Sequence, residues 1–458
     1  MSDVIVIGAG PGGSAAATRA AQLGARVTLV EQAELGGKCV NRNCIPLSSM
    51  LASVELLARI RRAEELGISV SPPRLDIARM IARSRQLSQE LRQGLAELLP
   101  TFGIQIVQGQ ARLVGPKTVE VNGQRFQAER AVILASGARW ATPPHGIQGV
   151  LWPDEALTSS QVPQRLLIWG GGPLEVEFAT LYTHLGSQVT LIIDGPYPLP
   201  DEDYEVGQRL QDALLAQGVE VITGATLRSA VKAGDHVKAT LITSRGEAEL
   251  AVQRVLWAGR SPNVEGLGLE EVGVKLDPGK GGAVAVDQLQ QTNLPGLYAV
   301  GDLTGEPFYS SVATVEGLAA AENAMGRARH VNRGLIPRHA FTLPEVACVG
   351  LSEEQAEQAG YAVEVINIAQ DINVRAQGLN EAEGGVKIVA SKKQGKLLGV
   401  HIVGHRATEL IAEAAMAIQL EALADDLAWA IRVHPTLSES LVEAGRGVLG
   451  QALYVPRL

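Results

Sequence analysis

Residues 4–31 read VIVIGAGPGGSAAATRAAQLGARVTLVE. The apolar run 4–7 has the pattern of a short buried strand. Residues 14–23 follow a helical pattern that Gly24 stops, and residues 26–30 form a second strand ending at Glu31. Between strand and helix stands GxGxxG, at Gly8, Gly10 and Gly13, with an acid 18 residues after Gly13. Gly8 makes a tight turn, Gly10 lets the backbone approach a pyrophosphate, and Gly13 lets helix and strand pack closely. The helix N-terminus attracts phosphate, and Glu31 can accept hydrogen bonds from ribose hydroxyls. A glycine-rich turn without a ligand is the plain alternative. The strand, helix, second strand and acid together outweigh it, and predict a doubly wound α/β unit.

A second unit of the same layout begins at Leu166. Strand 166–169 precedes GGGPLE at 170–175, a helix runs to Leu185, and strand 188–193 ends at Asp194. Here the third glycine position holds Glu175. The interval between the units predicts helices over 47–66 and 77–99. Short strands follow at 104–107, 111–114, 118–121, 124–127 and 131–134, with a hairpin turn at Asn122-Gly123. Further on, a helix is expected at 208–216 and strands at 219–222, 237–242, 255–258 and 297–300. From about Leu335 the pattern turns to alternating strands with two helices, 352–359 and 407–420, and carries no nucleotide fingerprint.

The chain has 458 residues, 46% hydrophobic and 19% charged, which bounds it to a folded protein of two to four domains. A net charge of −9 argues against nucleic acid and anionic membrane as partners. No apolar run reaches the ~18 residues of a membrane span. Residues 1–30 do not read as a signal peptide, because Asp3 stands where a basic region belongs. Three cysteines in so long a chain fit a reducing cytoplasm.

Two of those cysteines, Cys39 and Cys44, lie in GGKCVNRNCIPLSS at 36–49. A disulfide needs Cα atoms about 5.5–6 Å apart with Cβ atoms facing. Five residues along one helix give ~7.5 Å of rise and poor facing. Such a pair closes only if the chain turns as a helix begins, which Gly36, Gly37 and Pro46 favour. No His or third Cys is close enough in sequence to suggest a metal site. Two ordinary buried thiols are the alternative to a redox pair. The third cysteine, Cys348, sits in an apolar strand and reads as core. Near the end, Thr436-x-x-Glu439 reads as a capping box, which would leave His434 an exposed loop residue.

Read in order, GAGPGG at 8–13, GGKCVNRNCIP at 36–46, ASG at 135–137, AGRSPN at 258–263, YAVGD at 298–302, FTLPEVACVG at 341–350 and HPTLSE at 434–439 span nearly the whole chain. The chain resembles the FAD-dependent pyridine nucleotide-disulfide oxidoreductases, and their dihydrolipoamide dehydrogenase branch most closely. The resemblance implies two Rossmann-like nucleotide-binding domains and a C-terminal α+β dimerisation domain. The first part of the FAD domain would cover 1–145, an NAD-type domain 146–262, the second FAD or central part 263–334, and the interface domain 335–458. It implies a homodimer acting on lipoamide or another small dithiol or disulfide, free or protein-bound. Cys39 would be the exchange thiol and Cys44 the thiol facing the flavin. His434 of the partner subunit would be the acid/base, oriented by Glu439. FAD contacts would come from Gly8, Gly10, Gly13, Glu31, Gly37, Lys38, Ser136, Gly137, Asp302 and Ala313. NAD contacts would come from Gly170, Gly172, Glu177, Asp194 and Gly259.

Departures from the family pattern gather on the nicotinamide side. Relatives have Gly or Ala where Glu175 stands. A carboxylate ~5 Å from a phosphate at an effective dielectric of ~20 costs about 3 kcal/mol, or roughly two decades of affinity. An outward-turned Glu175 would instead simply favour the helix start. Ser48 replaces a usual Lys, the expected partner of Glu177, and Pro173 replaces a usual gate over the flavin. Arg432 stands where lipoamide enzymes often have a second His. These changes suggest weakened exchange with NAD(H). They favour, as a second reading, a quinone or protein as electron acceptor; a flavin-bound electron-transfer subunit with little turnover is a third.

Overall fold

The computed structural model describes residues 2–144 and 146–455. Three bodies of sheet build it. In the first, strands Gln105–Gln108, Val27–Glu31, Ser2–Ile7, Gln124–Leu134 and Leu297–Ala299 lie side by side, all parallel. Their interior residues, such as Val4, Ile5, Leu29, Val132 and Ile133, are fully buried, as strands covered on both faces must be. Helix Pro11–Gln22 covers one face and packs on helix Ser310–Ala324. The approach is close because the contact is glycine: a Cβ on Gly317 would fall 2.1 Å from the carbonyl oxygen of Gly12.

One expectation needs correcting here. Residues 124–127 and 131–134 are not two strands but one, Gln124–Leu134. Its first residues pair antiparallel with Thr118–Val121, while its later ones pair parallel with Ser2–Ile7. The intervening Ala128, Glu129 and Arg130 contain no turn former, so the chain stays extended from the hairpin into the main sheet.

The second body repeats the plan. Strands Glu220–Thr223, Gln188–Ile193, Arg165–Trp169, Arg254–Trp257 and Val150–Leu151 form a parallel sheet. A three-stranded antiparallel sheet, Thr226–Ala233, His236–Thr243 and Gly246–Val252, packs beside it. Helix Tyr204–Ala216 starts four residues before the expected 208, because the Asp203 side chain accepts from Glu205 N and caps it.

The third body is antiparallel: Arg338–Ala340, Glu345–Gly350, Leu397–Gly404, Gly385–Ser391 and Val363–Ala369, in that order. Helices Ala407–Gln419 and Glu439–Val448 pack against it. Cys348 is fully buried in its second strand, as expected of a core residue. No helix among the described residues is long and apolar enough to cross a membrane.

Candidate active site

The first glycine turn leaves a space that the rest of the site surrounds. Gly8 has φ +99°, and a Cβ there would lie 2.3 Å from the oxygen of Ala135. A Cβ on Gly13 would lie 1.8 Å from the oxygen of Gly8, so the helix sits directly on the turn. Gly10, by contrast, is unobstructed: a Cβ there would meet nothing closer than Gly37 Cα at 4.0 Å. Helix Pro11–Gln22 has no acidic residue in its first turn and no side-chain cap, so its free amides face that space. Buried Glu31 ends the second strand. One of its oxygens accepts from Ala9 N at 2.7 Å and the other from Ala33 N at 2.8 Å.

A cavity of about 810 Å³ runs from Glu31 past this turn to the cysteines. Gly8, Gly10, Glu31, Gly37, Lys38, Cys39, Cys44, Ser136, Gly137, Asp302 and Ala313 all line it. Gly13 does not; it is buried beneath the turn. The floor is held by Glu316, which accepts from Gly301 N at 2.7 Å and pairs with Arg333 at 2.5 Å. Burial raises the Asp302 pKa and brings that of Lys38 down to about 8. The Lys38 ammonium stands 4.1 Å over the Trp140 ring.

The cysteines are separated by the chain break that their spacing requires. Cys39 belongs to the one-turn helix Gly37–Asn41, the chain leaves helical geometry at Arg42 and Asn43, and Cys44 opens helix Cys44–Arg61. That helix begins three residues before the expected 47. Pro46 fits in its first turn, where no intrahelical N–H is needed. It also ends sooner, the remainder to Leu66 being a 3₁₀ turn. Both cysteines carry free thiols. Hydrogen bonding from Cys44, opposed by burial and helped by Ser310, brings the Cys39 pKa down to about 7. The same bond, with burial, pushes Cys44 well up. Cys44 Sγ lies 3.3 Å from Ser310 Oγ. The two directions favour Cys39 as the nucleophile near neutral pH.

Cys44 also borders a second cavity, of about 730 Å³, lined by Ser48, Gly172, Pro173, Glu175, Glu177 and Gly259. Gly170 and Asp194 do not line it, and Asp194 is exposed at the end of its strand. Glu177 is buried, and burial lifts its pKa to about 8 although Phe341 N donates to it at 2.9 Å. Ser48 gives it no cation. Tyr309, His339 and Phe341 line one wall, Tyr309 tilted against His339 and His339 edge-on to Phe341, with ring centroids 5.1 and 4.9 Å apart.

His434 and Glu439 lie apart from both cavities in this chain. His434 is exposed, and its Nδ1 is 2.9 Å from Glu439 Oε1. Burial pulls the Glu439 pKa up, but the bonds from His434 and Thr436 outweigh it and leave it low. The capping-box reading is half right. Glu439 Oε2 does accept from Thr436 N at 2.8 Å. The Thr436 hydroxyl, however, donates to Val433 O at 2.8 Å, and the helix starts at Glu439 itself. The same carboxylate thus braces the turn and holds the imidazole. Arg432 pairs with Glu413.

Sequence reading missed Trp140, Arg260, Phe308 and Ser310. Arg260 lines both cavities, donates to Phe308 O at 3.1 Å and stacks over its ring at 4.7 Å. Its place in AGRSPN was the one signal; the others come from segments with no fingerprint.

Comparison with known proteins gives this arrangement a family. The family model "Pyridine nucleotide-disulphide oxidoreductase" matches residues 2–328, and that family's dimerisation domain matches 336–445. The chain belongs to the pyridine nucleotide-disulphide oxidoreductases, an enzyme family of mixed α/β fold. It is 39% identical to a dihydrolipoyl dehydrogenase of Thermus scotoductus, over 99% of this chain and 98% of that one. It is 36% identical to the dihydrolipoyl dehydrogenase of Bacillus subtilis, over 98% and 99%. Among solved structures it is similar to LpdA from Mycobacterium tuberculosis, with a TM-score of 0.89 and 28% identity over 97% of this chain and 99% of that one.

Proposed function

We propose that this chain is an FAD-dependent dithiol/disulfide oxidoreductase of dihydrolipoyl dehydrogenase type, acting as a homodimer on lipoamide or a similar small dithiol. One observation carries the reading: Cys39 and Cys44 stand on either side of a helix break and both line the cavity that the first glycine turn borders. The cavity suits FAD because the open Gly10, the free helix amides and the fixed Glu31 answer to a pyrophosphate and a ribose. Bound there, FAD supplies a two-electron sink beside Cys44. Lys38, Ser136, Gly137, Asp302 and Ala313 line the same cavity and would hold its ring end and linker.

The thiol step balances within the chain's own residues. A substrate thiolate attacks Cys39 of a Cys39–Cys44 disulfide, the sulfur–sulfur bond breaks, and Cys44 leaves as thiolate. The second substrate thiolate attacks the substrate sulfur of the mixed disulfide and releases Cys39. The substrate ends oxidised and the pair reduced by two electrons. His434 of the partner subunit takes the thiol protons, and Glu439 sets the ring's orientation. The dimer is supported by the match to the dimerisation domain and by the exposed apolar residues Trp429, Ile431 and Val433 just before His434. The division at 1–145, 146–262, 263–334 and 335–458 is part of the same proposal; Met1, His145 and residues 456–458 lie outside the described residues.

Anaerobic titration of the flavin-loaded protein with dihydrolipoamide tests the reading. Bleaching of the flavin band in the wild type and none in Cys44→Ser is the expected result. Reduction that survives in Cys44→Ser would overturn the redox pair.

A further inference from the structure

The two glycine turns of this chain differ in one respect that bears on what the second can hold. At the first, the space over Gly10 is open and the helix has no acid in its first turn. At the second, helix Pro173–Leu185 carries Glu175 in its first turn, and the side chain folds inward over the glycines. A Cβ on Gly170 would lie 3.1 Å from Glu175 Cγ and 3.3 Å from its Oε1; one on Gly172 would lie 2.8 Å from its Oε2. The carboxylate lies against the amides of Glu175 and Gly172 at the helix start. It therefore stands where a dinucleotide's pyrophosphate would be bound. Burial raises its pKa, and the positive charge of Arg260 offsets this only in part. The outward-turned alternative does not describe this side chain.

We propose that Glu175 is a specificity-determining residue: its carboxylate fills the phosphate seat of the second nucleotide turn and excludes pyridine dinucleotides from it. This rests on the oxidoreductase reading above and narrows it, because the residues at this turn do not fit NAD as those of the first turn fit FAD. Two independent features agree. Ser48 provides no cation on this side, and Asp194 is exposed, without the pair of backbone amides that fixes Glu31. A bound pyrophosphate must displace Glu175, and like charge at this range weakens binding by about a hundredfold.

The test is calorimetric titration of the flavin-loaded protein with NAD+ itself. Wild type, Glu175→Gly and Glu175→Gln are compared, with flavin content and melting temperature confirming the fold of each. Glu175→Gly should bind NAD+ about a hundredfold more tightly than wild type. Glu175→Gln, which keeps the bulk, should recover only part of that gain. Equal affinity in wild type and Glu175→Gly overturns the proposal. Should Glu175→Gly fail to fold, Glu175→Ala serves in the same titration. Dihydrolipoamide reduction of the wild type, measured separately, reports on the oxidoreductase reading whatever the NAD+ result.

Discussion

Glu439 holds His434 and the turn beneath it with one carboxylate, Oε1 to the imidazole at 2.9 Å and Oε2 to Thr436 N at 2.8 Å. In the proposed mechanism, replacing His434 removes the proton acceptor, while replacing Glu439 keeps the acceptor but frees its ring and the turn at Thr436. His434→Ala should therefore slow dihydrolipoamide oxidation by about 10²–10⁴-fold. Glu439→Ala should slow it less, with the loss in kcat and little change in KM. An equal loss in both variants would make Glu439 more than a positioning residue.

The thiol pair makes a second prediction. With Cys44 beside it lowering its pKa to about 7, Cys39 of the reduced protein should be alkylated by iodoacetamide with a midpoint near pH 7. In Cys44→Ala the donor is gone and the midpoint should move upward. A midpoint that stays put in the variant would show that Cys44 does not hold the Cys39 charge.

Glu177 bears on stability. Its folded pKa, about 8, lies above the ordinary glutamate value of 4.5 because of burial. Between those values the folded state keeps a proton that the unfolded state has lost, so stability falls as pH rises. The slope from this one group is about 1.4 kcal/mol per pH unit. Denaturant melts from pH 5 to 8 should show Glu177→Gln with a flatter decline than wild type. Parallel curves would mean that Glu177 is ionised through that range.

Gly13 cannot carry a side chain where it stands, since a Cβ there would lie 1.8 Å from the carbonyl oxygen of Gly8. Gly13→Ala must push helix Pro11–Gln22 off the turn. A loss of about 1–3 kcal/mol of stability is expected, as for other overpacked sites. Flavin should be lost on gel filtration at the same time. Full flavin retention would show that the turn tolerates the shift.

What could be read from the sequence was what local chemistry dictates. Gly8, Gly10, Gly13 and Glu31 act within one strand–turn–helix, and Cys39 and Cys44 within one helix break. Ser310 could not be read as a partner of Cys44, since 266 residues separate them and no motif marks it. The union of 124–127 with 131–134 was hidden because pairing partners on two different sheets, not local preference, keep the chain extended. For Glu175 the sequence defined the conflict with a phosphate but not its outcome. That depended on a rotamer that folds over Gly170 and Gly172.

If His434 of the partner subunit completes the site, as proposed, its separation from both cavities of its own chain makes the active site divisible. A Cys39→Ser subunit keeps a sound His434, and a His434→Ala subunit keeps sound thiols. Each is inactive with its own kind. Re-paired at random in equal amounts, half the dimers are mixed, and each mixed dimer has one site assembled from two sound halves. Two dead preparations would then give back about one quarter of full activity. In a cell making both alleles, a defect in either half would be partly masked by the other.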